Sequence, residues 1–215
     1  MKSLAILLGA SGHARVVAGA AREAGIEMLG VCDPYLAAKG QSKWEDLKVL
    51  GPDDALSQYD PNQYVLLNGI GILTGCTKRK DLHNKMLLAG WQFSTILHPN
   101  AWVAPDVILM HGVQVMAGAV IQPGTIVGEG TIINTRASID HDCKIGAFSH
   151  IAPGAVLCGS ITMEDDVFIG AGAIVLPNLQ LSAGAVAAAG STIDTNISQK
   201  KLSFGRFSSS VQSVS

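Results

Sequence analysis

Aliphatic residues recur at every sixth position over the second half of this 215-residue chain, and this period restricts the possible folds more than any other feature. A helix repeats every 3.6 residues and a strand every two, so neither can place such a series on one face. Hexapeptide periodicity with a turn in each repeat is typical of a parallel β-helix, in which three short faces close a coil of about 18 residues. The series, which no insertion interrupts, is Leu97, Val103, Leu109, Val115, Ile121, Val127, Ile133, Ile139, Ile145, Ile151, Leu157, Met163, Ile169, Val175, Leu181, Ala187, Ile193.

The first 96 residues show a different pattern, in which apolar runs alternate with segments of helical spacing. Apolar runs predict parallel strands, and segments with helical spacing that end at glycine predict helices. Together they predict a small α/β domain with a Rossmann-like core at residues 1–96, then the β-helix at 97–194 and a tail at 195–215. The predicted strands are Leu4–Leu8, 26–33, Tyr64–Gly71 and 92–97, and the predicted helices are 13–25 and 78–90.

Composition excludes several classes of function. The net charge is −2 and no long Lys/Arg block occurs, so we expect no nucleic-acid partner. The four cysteines form no CxxC pair, which indicates reduced thiols in a cytoplasmic protein rather than disulfides or a zinc site. No apolar stretch approaches the roughly 18 residues of a membrane-spanning helix, so no membrane association is expected.

One hexapeptide turn, in the stretch SIDHDCKIG, combines a histidine with two acids. His141 would be either a general base held by Asp142, or an exposed turn histidine bonded to Asp140 or Asp142. Residues one coil apart stack, so His141 is predicted to lie at an outward corner directly before Gly159 in the stack. Cys143 is expected to point inward as a small core residue, which disfavours a covalent cysteine route.

The segment GASGH, from Gly9 to His13, follows a predicted strand and opens a predicted helix. Glycines there bring backbone N–H groups and a helix N-terminus close to a phosphate. The motif is not GxGxxG, so NAD is not expected. Asp33 ends the second predicted strand, where a carboxylate can bind a ribose hydroxyl or a base edge. The alternative is that His13 only belongs to the start of the helix.

Four segments resemble the sialic-acid O-acetyltransferase and nucleotide-sugar N-acetyltransferase family, which includes bacillosamine-pathway and GDP-perosamine acetyltransferases. They are GASGHARVV, LGPDDAL, ILHPNAWVAPDV and NTRASIDHDCKIGAFSHIAPGAVLCG. The resemblance implies a left-handed β-helix and acetyl-CoA as cosubstrate, with no metal. It also implies that His141 is the general base and Asp142 its orienting acid, and that His150 and Gly159 bind acetyl-CoA.

The same resemblance implies a nucleotide-sugar site in the N-terminal domain, formed by Gly9, Ser11, Gly12, His13 and Asp33. The favoured function is N-acetylation of a UDP- or GDP-linked amino sugar for surface glycan biosynthesis, in a homotrimer with its sites between subunits. An O-acetyltransferase acting on a sugar such as sialic acid shares every motif. A non-catalytic or zinc-dependent β-helix is the third class, but His111, His141 and His150 do not share one column of the coil.

Overall fold

The computed structural model describes residues 4–204, and the N-terminal part is an α/β domain built on one sheet. Its strands lie in the order β3-β4-β2-β1-β5, all parallel except β3. The four parallel strands, counted in chain order, therefore have the 3-2-1-4 order of half a Rossmann fold. Their bounds are β1 Leu4–Leu8, β2 Met28–Cys32, β3 Lys43–Trp44, β4 Leu47–Gly51 and β5 Tyr64–Asn68.

Three elements connect these strands: α1 Gly12–Glu23, α2 Pro34–Ala38 and the 3₁₀ helix Asp53–Gln58. A further helix, α3 Lys78–Leu88, follows β5 and leads to the second part of the chain. The two predicted helices and the three predicted strands before residue 72 are present. The predicted strand at 92–97 is divided instead. Phe93 bridges Leu66 at the edge of the N-terminal sheet, whereas Ile96–Leu97 forms the first rung of the β-helix.

The second part is a left-handed parallel β-helix, as predicted. Its strands form three faces: face I is β7-β10-β13-β16-β19-β22, face II is β8-β11-β14-β17-β20, and face III is β6-β9-β12-β15-β18-β21-β23. Val120 pairs with Ser138 and Ile121 with Ile139, an offset of 18 residues. The strands β6 to β23 are Ile96–Leu97, Trp102–Val103, Ile108–Leu109, Gln114–Val115, Val120–Ile121, Ile126–Val127, Ile132–Ile133, Ser138–Ile139, Lys144–Ile145, His150–Ile151, Val156–Leu157, Thr162–Met163, Phe168–Ile169, Ile174–Val175, Gln180–Leu181, Val186–Ala187, Thr192–Ile193 and Leu202–Ser203.

The six-residue aliphatic series forms the core of this helix. From Val115 onward every member is buried, and small residues such as Ala137, Cys143 and Ala155 fill the corners between them. Only the first members, at the open end of the coil, are partly exposed, Leu97 by 43%. Stacking identical aliphatic positions thus removes one continuous apolar column from water, which is the main stabilising term for such a coil.

The coil continues beyond residue 194, where the sequence analysis placed a tail. Ile197 bridges Leu181, and Leu202–Ser203 pairs with Val186–Ala187 on face III. The break in hexapeptide register after Ile193 hid this last, irregular rung. The rest of the predicted tail, 205–215, lies outside the described residues.

The N-terminal domain packs on the early rungs of face III. The outward residues there, Ile96, Gln114 and Ile132, are 0–1% exposed. An ion pair between Lys80 of α3 and Asp166, 2.7 Å long, ties the domain to a later turn. Among the described residues, no helix has the length and apolar character needed to cross a membrane.

Candidate active site

The turn between β13 and β14 presents His141 and Asp142 to solvent at the corner shared by faces I and II. His141 Nδ1 lies 2.8 Å from Asp142 Oδ2, and the two side chains are 57% and 67% exposed. The backbone N–H of His141 donates to Asp140 Oδ1 at 2.8 Å. The carboxylate therefore fixes the Nδ1–H tautomer and leaves Nε2 as the basic nitrogen, the arrangement that a general base requires.

The electrostatics of this corner favour a proton acceptor. The hydrogen bond to Asp142 raises the pKa of His141, and the charges of Asp140 and Asp142 act in the same direction. Desolvation of the ring acts in the opposite direction, but the hydrogen bond to Asp142 is the larger effect, so the net shift of the pKa is upward. His141 therefore lies at the predicted corner, with a carboxylate that orients its ring and raises its pKa.

Gly159 lies one coil further along, directly beneath the imidazole. Ser160 N donates to His141 O at 2.8 Å, which confirms the predicted stacking of the two turns. Within the described residues, the N–H of Gly159 has no hydrogen-bond acceptor. A free N–H next to the basic nitrogen is the donor that an oxyanion would need.

His150 lies on face III against the N-terminal domain and is only 9% exposed. Its Nδ1 lies 3.3 Å from Ile72 O and its Nε2 lies 3.0 Å from Asn134 Nδ2, so one nitrogen donates and the other accepts. Burial lowers the pKa of His150 to about 4. An imidazole with so low a pKa is a weak base, and its Nε2 already accepts a hydrogen bond from Asn134, so His150 is a poorer general base than His141.

The predicted phosphate loop has the expected backbone. Gly9 has φ +86° and donates its N–H to Cys32 O, so the chain turns sharply from β1 into α1. Ser11 is the N-cap of α1 but makes no side-chain capping bond; its Oγ donates to Gly69 O instead. Nothing lies within 4 Å of the position where a Gly12 Cβ would stand. The helix N-terminus is therefore uncapped and approachable, as anion binding requires.

His13 and Asp33 are more engaged than the sequence indicated. His13 Nε2 lies 2.9 Å from Gln114 Oε1 of the β-helix, and burial lowers its pKa to about 4. Asp33 is the N-cap of α2, accepting the N–H of Leu36 with one oxygen and that of Ala10 with the other, at 2.9 and 3.0 Å. Asp33 thus fixes the glycine loop to the end of β2. Each of its carboxylate oxygens has a second lone pair, which could accept a hydrogen bond from a nucleotide.

A buried arginine, which the sequence did not indicate, lies at the domain junction. Arg79 is 2% exposed; its Nε donates to Gly130 O of the β-helix, and its Nη1 donates to Asn68 O and Ile70 O of the N-terminal domain. Gln114 Nε2 also donates to Asn68 O, at 2.7 Å. These bonds, with His13, fix the phosphate loop relative to the coil. No local signal marks Arg79, which lies in a helix rich in charged residues.

Next to this junction, a cavity of about 640 Å³ opens between the N-terminal domain and the later rungs of face III. Residues 72–77 form one wall, and Phe168 and Val186 form the other, with Lys80 and Lys200 at its edge. His150 packs edge-to-face on Phe168, with ring centroids 5.1 Å apart. His150, which is predicted to bind acetyl-CoA, thus lies beside a cavity on the opposite side of the coil from His141.

Cys143 is buried, with its Sγ 3.2 Å from Cys158 O, and burial raises the pKa of its thiol to about 11. It is the inward core residue that the hexapeptide position predicted. In residues 4–204, no three His, Cys, Asp or Glu side chains are grouped as metal ligands would be.

Comparisons with known proteins match both parts of the chain. The family of the PglD N-terminal domain matches residues 5–86, and the bacterial transferase hexapeptide family (six repeats) matches residues 124–159. Among curated proteins, GDP-perosamine N-acetyltransferase of Escherichia coli O157:H7 is 31% identical over 110 residues, which are 50% of this chain and 50% of the relative. The chain thus spans about half the length of that curated relative.

Solved structures match over almost the whole chain. The acetyltransferase domain of PglB from Neisseria gonorrhoeae FA1090 is 30% identical with a TM-score of 0.85, over 93% of this chain and 95% of that one. In its complex with acetyl coenzyme A the same domain gives a TM-score of 0.86 at 29% identity, over 94% and 96%. PerB from Caulobacter crescentus, in complex with CoA and GDP-perosamine, is 30% identical with a TM-score of 0.84, over 94% of each chain.

Proposed function

We propose that this chain, which belongs to the family of hexapeptide acetyltransferases with a PglD-type N-terminal domain, transfers the acetyl group of acetyl-CoA to the amino group of a nucleotide-linked amino sugar. The observation that carries the proposal is the exposed His141–Asp142 pair, 2.8 Å apart, above the free N–H of Gly159. The similarity to PerB, whose complex holds CoA and GDP-perosamine, supports the substrate class, with GDP as one candidate nucleotide and UDP as the other.

The reaction needs one base and one oxyanion donor. The amine nitrogen attacks the thioester carbonyl carbon, and His141 Nε2 takes a proton from that nitrogen. The Gly159 N–H stabilises the oxygen of the tetrahedral intermediate. The C–S bond then breaks, the carbonyl re-forms as an amide, and CoA leaves as the thiol with the proton that the His141 imidazolium gives up, directly or through solvent, so the base is regenerated. Asp142 holds the tautomer and stabilises the imidazolium throughout.

The N-terminal domain is proposed to hold the nucleotide. The uncapped N-terminus of α1 at Gly12 would receive a phosphate, and Asp33 would bind the ribose or the base. This loop also favours N-acetylation over O-acetylation of a free sugar, because a nucleotide site is useful only for a nucleotide-linked acceptor. We place the product in surface glycan biosynthesis.

The site is proposed to lie between subunits of a homotrimer. His141 is at the corner of faces I and II, whereas the phosphate loop and His150 are on face III, on the other side of the same coil. One chain cannot bring them together, so the acceptor bound by one subunit must meet the base of another. Face I offers an apolar surface for such a contact, with Trp102 49% and Ile174 40% exposed. If light scattering gave the mass of a monomer under conditions in which the protein is fully active, this assembly would be contradicted.

The activity is tested by thiol release from acetyl-CoA across a panel of UDP- and GDP-linked amino sugars, with free sialic acid as the O-acetylation arm. Release with an amino-sugar nucleotide supports the proposal. Release only with the hydroxyl acceptor would replace it by the O-acetyltransferase alternative.

The base is tested by His141→Asn, which should lower kcat by about 10²–10⁴-fold while acetyl-CoA binding persists. Asp142→Asn should lower kcat by a smaller factor. The wild-type kcat/KM should rise with pH through a value above the ordinary histidine pKa of about 6.5, because Asp142 raises the pKa of His141.

His150→Asn should act mainly on the KM for acetyl-CoA. His111→Asn is the matched control, since His111 is exposed at the same hexapeptide position. If His141→Asn kept the wild-type kcat, His141 would not be the general base.

A further inference from the structure

We infer that Gly124 and Gly159 are positioning residues for the proposed acetyl transfer: together they form a slot, one coil before and one coil after, that holds the His141–Asp142 pair. The inference rests on the proposed function, because it assigns to these two glycines the placement of the base and its acid. Neither glycine needs to touch substrate for this role; what matters is that each lacks a side chain.

Gly159 leaves the space in which the imidazole lies. A Cβ at this position would stand 2.6 Å from His141 Nε2 and 2.7 Å from Cε1, closer than real Cβ contacts allow. The hexapeptide position itself tolerates a Cβ, since the equivalent residue in other turns is Ala117, Ala147, Ala171, Ala183 or Ala189. The glycine is therefore required at this turn by the histidine, not by the coil.

Gly124 leaves the corresponding space for the carboxylate. Asp142 has φ +58° and occupies the turn position that glycine fills in about half of the other turns, and its side chain lies back against the preceding coil. There a Cβ on Gly124 would collide with Asp142 Oδ1 and lie 3.4 Å from its Cγ. The same relation recurs in two neighbouring turns, where the ring of Phe148 lies against Gly130 and, less closely, Arg136 Cγ lies 3.3 Å from the Cβ position of Gly118.

In both cases the colliding atoms are the far ends of side chains rather than backbone. Alanine at either position can therefore be accommodated if the imidazole or the carboxylate swings aside, and the coil is kept while the pair is displaced. A displacement of about 1 Å at a reacting group can cost about 10²-fold in rate.

The charged and titratable groups around the imidazole are few. Asp140 and Asp142 belong to its own turn, and both favour the protonated form. The Cys143 thiol also lies close, with its Sγ 3.7 Å from His141 O, but burial raises its pKa to about 11, so it carries no charge near neutral pH. The preceding turn presents Gly124, whose N–H donates to Asp106 Oδ2 at 2.9 Å, and the following turn presents Gly159 and Ser160, which do not titrate. A change in the titration of His141 after substitution of Gly124 would therefore report the loss of Asp142.

The test compares Gly124→Ala, Gly159→Ala and Gly154→Ala for kcat, for KM and for the titration of His141 by NMR in the free protein. Gly154 is the matched control for Gly124, with φ +68° against +74° and nothing within 4 Å of its Cβ position, so both alanines bear the same backbone strain. Gly159 does not have a positive φ, so its alanine variant avoids that strain altogether.

We expect Gly159→Ala to lower kcat by about 10²-fold, although its backbone N–H is retained. Gly124→Ala should lower kcat about tenfold and shift the titration of His141 to lower pH, and it should cause no further loss when Asp142→Ala is already present, because both changes remove one interaction. Gly154→Ala should match the wild type in kcat and titration.

If Gly124→Ala and Gly159→Ala both kept the wild-type kcat and the wild-type titration of His141, the inference that these glycines position the pair would be wrong. A raised KM for acetyl-CoA in Gly159→Ala with an unchanged titration would also overturn it, since the Cβ would then obstruct the thioester rather than the base. If His141→Ala keeps its activity, the proposed function fails instead, and the NMR titration, which needs no turnover, still decides whether the glycines position the pair.

Discussion

Acid should destabilise this protein through histidines that are buried as neutral rings. His13 bonds to Gln114 and His150 bonds to Asn134 and Ile72, and burial lowers the pKa of each to about 4. Because the folded-state pKa is lowered, the unfolded chain binds protons between about pH 6.5 and 4 that the folded chain does not. The stability that these two neutral histidines allow is therefore fully present above about pH 6.5 and is lost as the pH falls towards about 4.

The size of the effect follows from the two pKa values. Between about pH 7.5 and 5.0, each histidine should reduce the free energy of unfolding by on the order of 2 kcal/mol, and the two together by about 4 kcal/mol. Burial lowers the pKa of His83 in the same direction, but Glu129 Oε1 lies 3.2 Å from its Nε2 and would stabilise the imidazolium, so the sum omits it.

The assay is urea unfolding at a series of pH values, followed by the fluorescence of Trp44 and Trp91, which are buried in the N-terminal domain. The variants His13→Gln and His150→Gln should each reduce the pH-dependent loss by about half, whatever they do to stability at pH 7.5. The exposed His111→Gln should leave it unchanged. An equal pH-dependent loss in the wild type and in the double variant would refute the reasoning.

Two further predictions concern the domain junction and the nucleotide loop. Arg79→Lys should destabilise the fold by about 3 kcal/mol, because lysine cannot serve the three carbonyls that Arg79 bonds, whereas Arg15→Lys at a 68% exposed side chain should change stability by less than about 0.5 kcal/mol in the same urea assay. Asp33→Ala should raise the KM for the nucleotide sugar about ten- to a hundredfold with little change for acetyl-CoA, and an unchanged KM would remove Asp33 from the site.

The β-helix could be predicted from the sequence because each rung repeats one chemical rule. An aliphatic residue at every sixth position fixes which face or corner of the coil each residue occupies. Residues 18 apart then stack, so the stacking of His141 on Gly159 follows from their sequence numbers. The break after Ile193 ended that count, and the last rung at Leu202–Ser203 was missed for this reason.

The domain junction could not be predicted in this way. Arg79 bonds to Gly130, which is 51 residues away, and a charged residue on a polar helix ordinarily faces water. Gln114 is an outward residue of face III, and only the docking of a separate domain makes it a buried partner of His13. Asp33 did carry a local signal, since an Asp before Pro34 is a common helix start, and the capping of α2 could have been read from it.

The fixed 18-residue offset between rungs also sets distances within the molecule. The N-terminal domain contacts the coil at Gln114 on β9, before His141, and at His150 and Asp166, after it. Because neighbouring rungs are about 4.8 Å apart, the height of the base above the phosphate loop can change only in steps of that size. Adding or removing one whole coil between Gln114 and His141 would keep His141 at its corner and shift it by one step, but it would also displace His150 and Asp166 from their partners in the N-terminal domain. A single-residue deletion would instead turn His141 away from that corner. The span between the phosphate loop and the base is therefore set in whole rungs, and contacts of the N-terminal domain on both sides of His141 keep the number of rungs fixed.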